Sequence, residues 1–253
     1  MKRILTREEW RKRRRRKRIV LISLIIALLL LILGLIAIFI ADVLTHGGAI
    51  RRGIIHQIQD ELQGSNREGK EAIDETLPNG VVIEKDYLTP NIYSRPQTPL
   101  KDINAIVIHY TANPGTTAAN NRSYFEGLAQ KKTTYASSHY IIGLEGEVVQ
   151  CVPLNEISFA SNDRNSDTVA IECCHGDETG QFNEATYQSL VALTASLCVE
   201  FGLGEEDIIR HYDVTGKLCP LYYVEHEEEW LQFRRDVIAE ADRLKKVKAD
   251  AKD

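Results

Sequence analysis

The sequence predicts an α/β domain, a central mixed β-sheet flanked by helices, preceded by one N-terminal transmembrane helix. Three observations carry this reading. Short β-branched runs alternate with stretches of helical periodicity from about residue 91 onward, and several of those runs end in residues able to do chemistry. A block of 23 uncharged residues, Ile19 to Ala41, stands apart from all of them. At 1.5 Å rise per residue that block exceeds the roughly 30 Å hydrocarbon layer of a bilayer, so a signal anchor that spans the membrane is expected over 19–41.

Charge sets the direction of the span. Residues 1–18 carry eleven Lys or Arg against Glu8 and Glu9, whereas the rest of the 253-residue chain holds 20 basic and 34 acidic residues, about −14. An excess of basic residues marks the cytoplasmic flank. Residues 1–18 therefore read as a basic cytoplasmic tail, and everything past Asp42 as extracytoplasmic, in a single-pass protein of the cell membrane. A cleaved secretory signal is the alternative. Its apolar region is normally about 7 to 15 residues and ends in an A-x-A-like site, which this block does not match, and it would deliver the domain to the same side. The run RKRRRRKR has the charge to meet nucleic acid, but the acidic surplus downstream repels a phosphate backbone, so no nucleic-acid partner is expected.

Residues 42–90 mix Gly47-Gly48, a charged amphipathic stretch with Ile54, Ile55, Ile58 and Leu62, and then Gly, Asn, Pro and Glu. They read as a stalk with at most one short helix, leaving a folded domain over 91–248. Its first core strand is AIVIHY, continuous apolar residues that stop at His109. A helix is expected over Thr116 to Gln130, then two strands in HYIIGLEGEVVQCVP joined by a turn at Glu145-Gly146, and another strand over Thr168 to Cys173. Asn183 is a good N-cap for a long helix that ends at Phe201, with Gly202 just beyond. A short strand, DIIRH, leads into the loop YDVTGKLCP, and a last helix runs from about Glu225 to Lys248, acidic first and basic last.

His109, Glu172 and His211 thus each stand near the carboxyl end of a strand, the edge where open α/β sheets place their sites. His211 and Cys219 bracket a short loop in which Gly216 permits a sharp turn. With His109 they make a three-residue set of the kind that holds catalytic zinc with a fourth position open. By spacing alone, two structural histidines and a buried cysteine account for the pattern equally well. Lys217 lies two residues before Cys219, so an extended loop would put its ammonium on the same side, although most lysines are simply solvated. Glu172, inside the apolar string VAIECC, is costly to bury unless it is paired or working. Five cysteines outside the cell, Cys151, Cys173, Cys174, Cys198 and Cys219, leave at least one without a disulfide partner; the other four are paired or buried.

The strings IVIHYTANPGTTAANNRSYF, SSHYIIG, NDRNSDTVAIE and RHYDVTGKLCP, in this order and spacing, resemble the zinc-dependent N-acetylmuramoyl-L-alanine amidases of the peptidoglycan-recognition-protein and phage-lysozyme type, over about residues 90 to 240. The resemblance implies Zn2+ on His109, His211 and Cys219, Glu172 as the base and Lys217 as a stabiliser of the transition state. It also implies a peptidoglycan (muramyl peptide) partner, met in a groove for which Ser138, His139, Asn162 and Arg164 are the candidates by block position. Two features depart from the pattern. Relatives often carry tyrosine where Ser138 stands, and a tryptophan-histidine pair where this chain reads SFASNDRN. A non-catalytic peptidoglycan-binding module of the same fold is the main alternative. Such receptors typically lose the cysteine ligand, which this chain retains. An endopeptidase acting within the stem peptide and a purely structural anchored protein are the other classes.

Overall fold

The structure is a computed structural model and describes residues 73–251. The basic tail, the transmembrane helix expected over 19–41 and the first part of the expected stalk lie outside the described residues. Among the described residues no helix is long and apolar enough to cross a membrane.

Strands β1 (Ile83–Lys85), β2 (Ala105–Tyr110), β3 (Tyr140–Ile142), β4 (Val148–Gln150), β5 (Thr168–Cys173) and β6 (Ile208–Arg210) form one sheet in the order β1-β4-β3-β5-β2-β6. The β3–β4 hairpin is antiparallel and the other pairings are parallel, so the sheet is mixed, as the sequence predicts. The central strands β2 and β5 are covered on both faces, which explains their near-continuous apolar sequences. One face carries Ile106, Ile108, Ile142, Val169 and Ile171. It packs on helix α2 (Glu184–Phe201) through Leu190, Leu193 and Leu197 and on helix α5 (Glu227–Asp250) through Trp230, Phe233 and Val237. Each fully buried leucine there contributes about 1.5–3 kcal/mol, more than helix propensity supplies. The opposite face carries Ile141 and Val149, covered by Phe125 and Leu128 of helix α1 (Ala118–Lys131).

The ends of α1 and α2 are set by local hydrogen bonds. Thr117 caps α1, its side chain accepting from the Asn120 N–H while Asn120 Oδ1 accepts from the Thr117 N–H. Asn183 caps α2 by accepting from the Thr186 N–H, and Gly202 ends it at φ +68°.

Two expectations need correction. The stretch 42–90 is not stalk to its end: Ile73, Leu77, Ile83 and Leu88 are buried, and β1 pairs with β4 through Ile83↔Val148 to Lys85↔Gln150. A three-residue edge strand after Pro78-Asn79-Gly80 is too short to show a period. The stretch after His211 is not all loop either, because helix α3 (His211–Thr215) makes one turn there. Asp213 nucleates it. Its carboxylate accepts from the Arg210 N–H at 2.8 Å and from the Arg210 guanidinium at 3.1 and 2.9 Å. A second short helix, α4 (Leu221–Glu225), precedes the break at His226 before α5. Buried Arg210 ties these pieces together: it also donates to the Tyr223 carbonyl and Glu227 and lies over the Trp230 ring.

Candidate metal centre

In the parallel pair β2–β5 the residue opposite His109 is Glu172. Aligned residues of neighbouring strands point to the same face, so the sheet sets an imidazole beside a carboxylate at its carboxyl edge. β6 flanks β2 on the other side and delivers His211 one residue beyond its end. The chain then turns back through α3. Gly216 takes φ +78° as the C-cap, a conformation that any side chain would strain, and its N–H donates to the Tyr212 carbonyl at 2.7 Å. The Tyr212 N–H donates to the Cys219 carbonyl at 2.9 Å and closes the loop.

The closure brings His109, His211 and Cys219 together, one ligand atom from each within 4.8 Å of the others and all three residues buried. Cys219 Sγ lies 3.7 Å from His109 Nδ1, and the two imidazole rings are 4.7 Å apart by centroid. His211 Nδ1 is buried without a hydrogen-bond partner. A buried polar atom left unpaired is costly unless something absent from the coordinates satisfies it, and two imidazoles with one thiolate are a donor set suited to zinc. The residues present therefore fit the metal.

Electrostatics agree. Burial pushes His109 well below its ordinary range, helped by His211 and Lys217, and burial with Lys217 lowers His211 as well. Both imidazoles are neutral at neutral pH, the form that ligates. Burial, with Glu172 nearby, pushes the Cys219 thiol up to about 12, so a cation must displace its proton. Glu172 is pushed up to about 8 by burial, only partly offset by Lys217, and its Oε2 is buried without a partner. Lys217 itself is exposed on the loop rim, and its charge is felt by all four of these groups. All five cysteines are free and buried, so the four outside the cluster are core residues rather than disulfides.

Two of the four groove candidates, Ser138 and His139, are placed differently from the expectation. Ser138 is fully buried and donates to the Tyr140 carbonyl at 2.9 Å. His139 is fully buried too: its Nδ1 accepts from the Ala170 N–H at 3.0 Å and its Nε2 lies 3.0 Å from the Glu156 carbonyl. Neither faces a groove, because the chain entering β3 is covered on both sides. Arg164 is held in its own loop by a two-pronged contact to Asp167 at 2.8 and 2.9 Å. Asn162 is exposed, yet its Oδ1 lies 2.9 Å from His211 Nε2. Sequence reasoning missed Ser161, whose Oγ is 3.4 Å from His109 Nε2. The one available signal was its position in SFASNDRN, where the chain departs from the family pattern.

His139 makes a test of this placement. Burial pushes it down to about 4 from about 6.5, and protonation would set a new Nδ1–H against the Ala170 N–H. Between those values the unfolded chain binds a proton that the folded chain refuses, so stability falls as pH falls through that window, by up to about 3 kcal/mol. Denaturant midpoints at about pH 7 and about pH 4.5 should show this loss in the wild type and a smaller one in His139→Gln. Equal losses in both would remove His139 as the cause.

Residues 99–221 match the sequence profile of the family described as N-acetylmuramoyl-L-alanine amidase. The chain is 33% identical over 171 residues to N-acetylmuramoyl-L-alanine amidase CwlL of Bacillus licheniformis, covering 62% of this chain and 47% of that one. It is 32% identical over 179 residues to N-acetylmuramoyl-L-alanine amidase BlyA of Bacillus subtilis strain 168, with the same coverage. Among solved structures, the catalytic domain of XlyA superposes with a TM-score of 0.53 at 25% identity, over 62% of this chain and 99% of that one. A mutant endolysin from Bacillus subtilis gives 0.52 at 26%, again over 62% and 99%.

The folded domain matches the N-acetylmuramoyl-L-alanine amidase family over residues 99–221. The chain spans about half the length, 47%, of the curated relatives it matches, whereas the solved domains are matched almost end to end. The match to this amidase family covers β2 through the start of α4 and so includes His109, Glu172, His211, Lys217 and Cys219. The β1 segment and helix α5 lie outside the profile, yet both pack into the same core.

Proposed function

We propose that the chain is a zinc-dependent N-acetylmuramoyl-L-alanine amidase that hydrolyses the amide between N-acetylmuramic acid and L-alanine in peptidoglycan, for remodelling or lysis of the cell wall. The observation that carries this reading is the convergence of His109, His211 and Cys219 beside the unpartnered carboxylate of Glu172. The names of the matched relatives support the choice of bond.

Zinc held by such a set supplies Lewis acidity at a carbonyl and acidifies water. Glu172, in its ionised form, takes the proton of the attacking water as the C–O bond forms. It then gives that proton to the amine as the C–N bond breaks. Lys217 brings a positive charge to the rim, where it balances the negative charge that develops on the carbonyl oxygen. The uncharged run 19–41 and the basic residues before it support anchoring of this domain on the extracytoplasmic face, where peptidoglycan lies.

The test is digestion of purified peptidoglycan by the full chain with zinc, followed by mass spectrometry of the soluble products. Intact stem peptides with a free L-alanine amino terminus are expected. Stems cut internally would make the chain an endopeptidase, and binding without release would make it a recognition module; either result overturns the proposal.

A further inference from the structure

Ser161 and Asn162 are adjacent in sequence, and each touches a different imidazole of the cluster. Ser161 Oγ lies 3.4 Å from His109 Nε2, and Asn162 Oδ1 lies 2.9 Å from His211 Nε2. The other nitrogen of each ring turns inward: His109 Nδ1 stands 3.7 Å from Cys219 Sγ, and His211 Nδ1 is buried with no partner. An oxygen beside Nε2 stabilises the tautomer with hydrogen on Nε2, which leaves the lone pair on Nδ1. It also resists rotation of the ring, which would swing Nδ1 away.

The segment that carries the pair is built to hold this pose. Asn165 Oδ1 accepts from the Ala160 N–H at 3.1 Å and the Ser161 N–H at 2.6 Å, while the Arg164 N–H donates to the Ser161 carbonyl at 3.0 Å. The Arg164–Asp167 pair and the Thr168 hydroxyl, which donates to the Arg164 carbonyl at 2.6 Å, fix its far end. Asn162 sits at φ +52°, a left-handed conformation that asparagine tolerates better than most residues. Strain placed where a side chain meets a ligand imidazole is the pattern expected of a functional position.

We propose that the Ser161–Asn162 dipeptide is the orienting element of the metal centre, two positioning residues that fix both histidines in the Nδ1-ligating form. It rests on the metal-binding part of the proposed function but not on amide hydrolysis. The same loop thereby sets metal affinity, and Asn162 acts through His211 rather than on substrate.

Zinc affinity of the full chain, measured by competition with a chromogenic chelator, tests this in three variants. Asn162→Gly keeps the left-handed backbone but removes the oxygen, and it should weaken zinc binding about 10- to 100-fold. Asn162→Asp keeps an acceptor and should stay close to wild type. Ser161→Ala, which removes the longer contact, should cost only a few-fold. A second readout needs no metal: two-bond 1H–15N spectra of the zinc-free chain should show His211 as the Nε2–H tautomer in wild type and Asn162→Asp, and as a mixture in Asn162→Gly. Wild-type zinc affinity in Asn162→Gly, an equal loss in Asn162→Asp, or an unchanged tautomer in Asn162→Gly would each overturn the proposal. Failure of the chain to cut peptidoglycan while these results hold would overturn the proposed function instead.

Discussion

Cys219→Ser is expected to weaken zinc binding by more than about 100-fold, beyond the loss typical of a residue that merely orients a ligand. A serine hydroxyl remains protonated at neutral pH, so the substitution exchanges a potential anion for a neutral oxygen in a buried site. The same chemistry gives the wild type a pH signature. Burial pushes the Cys219 thiol up to about 12 and holds both histidines below their ordinary range, so the proton that binding releases comes from the thiol. Release of one proton makes apparent affinity rise about tenfold per pH unit over any range below the thiol's own value. Competition titrations between about pH 6.5 and about pH 8.5 should show that slope in wild type and a much flatter one in Cys219→Ser. Stoichiometric zinc in the serine variant, or flat wild-type affinity, would remove Cys219 from the ligand set.

The parts of this fold legible in the sequence are those that repeat a period or use a cap. β2 and β5 announce themselves by the apolar runs AIVI and VAI because both of their faces are buried, and α2 does so by Asn183 and Gly202. The candidate ligands His109 and His211 were legible for a related reason: a strand followed by a polar, chemistry-bearing residue marks the carboxyl edge of a sheet. β1 was not, since three residues cannot display alternation and their pairing partner β4 lies about 65 residues away. Ser138 and His139 look like groove residues because polar side chains ordinarily face water. Here the Ala170 N–H, the Glu156 carbonyl and the Tyr140 carbonyl satisfy them in the interior. The contacts of Ser161 and Asn162 depend on one left-handed residue and on Asn165 bridging two backbone amides, neither of which leaves a periodic trace.

Glu172→Gln is expected to reduce amide hydrolysis by about 100- to 10,000-fold, with zinc retained, while making the metal-free chain more stable at high pH. Both effects come from one buried carboxyl. Burial pushes Glu172 up to about 8 from about 4.5, and the charge on Lys217 recovers only part of that. Between those values the folded chain keeps a proton that the unfolded chain has lost. Stability therefore falls as pH rises from about 4.5, and the penalty is complete above about 8, at roughly 5 kcal/mol. Glutamine does not titrate, so the variant escapes this loss. Denaturant midpoints of chelator-treated full chain at about pH 5 and about pH 8.5 should show the gap between variant and wild type widening with pH. This sign is opposite to that of His139, whose penalty grows as pH falls, so one pair of titrations separates the two groups. Wild-type hydrolysis by a zinc-loaded glutamine variant would exclude Glu172 as the proton carrier. A gap that does not widen would mean that the carboxyl is not buried in the way the β2–β5 pairing places it. On the proposed function, the carboxyl that costs the fold stability at high pH is the one that passes a proton from water to the leaving amine.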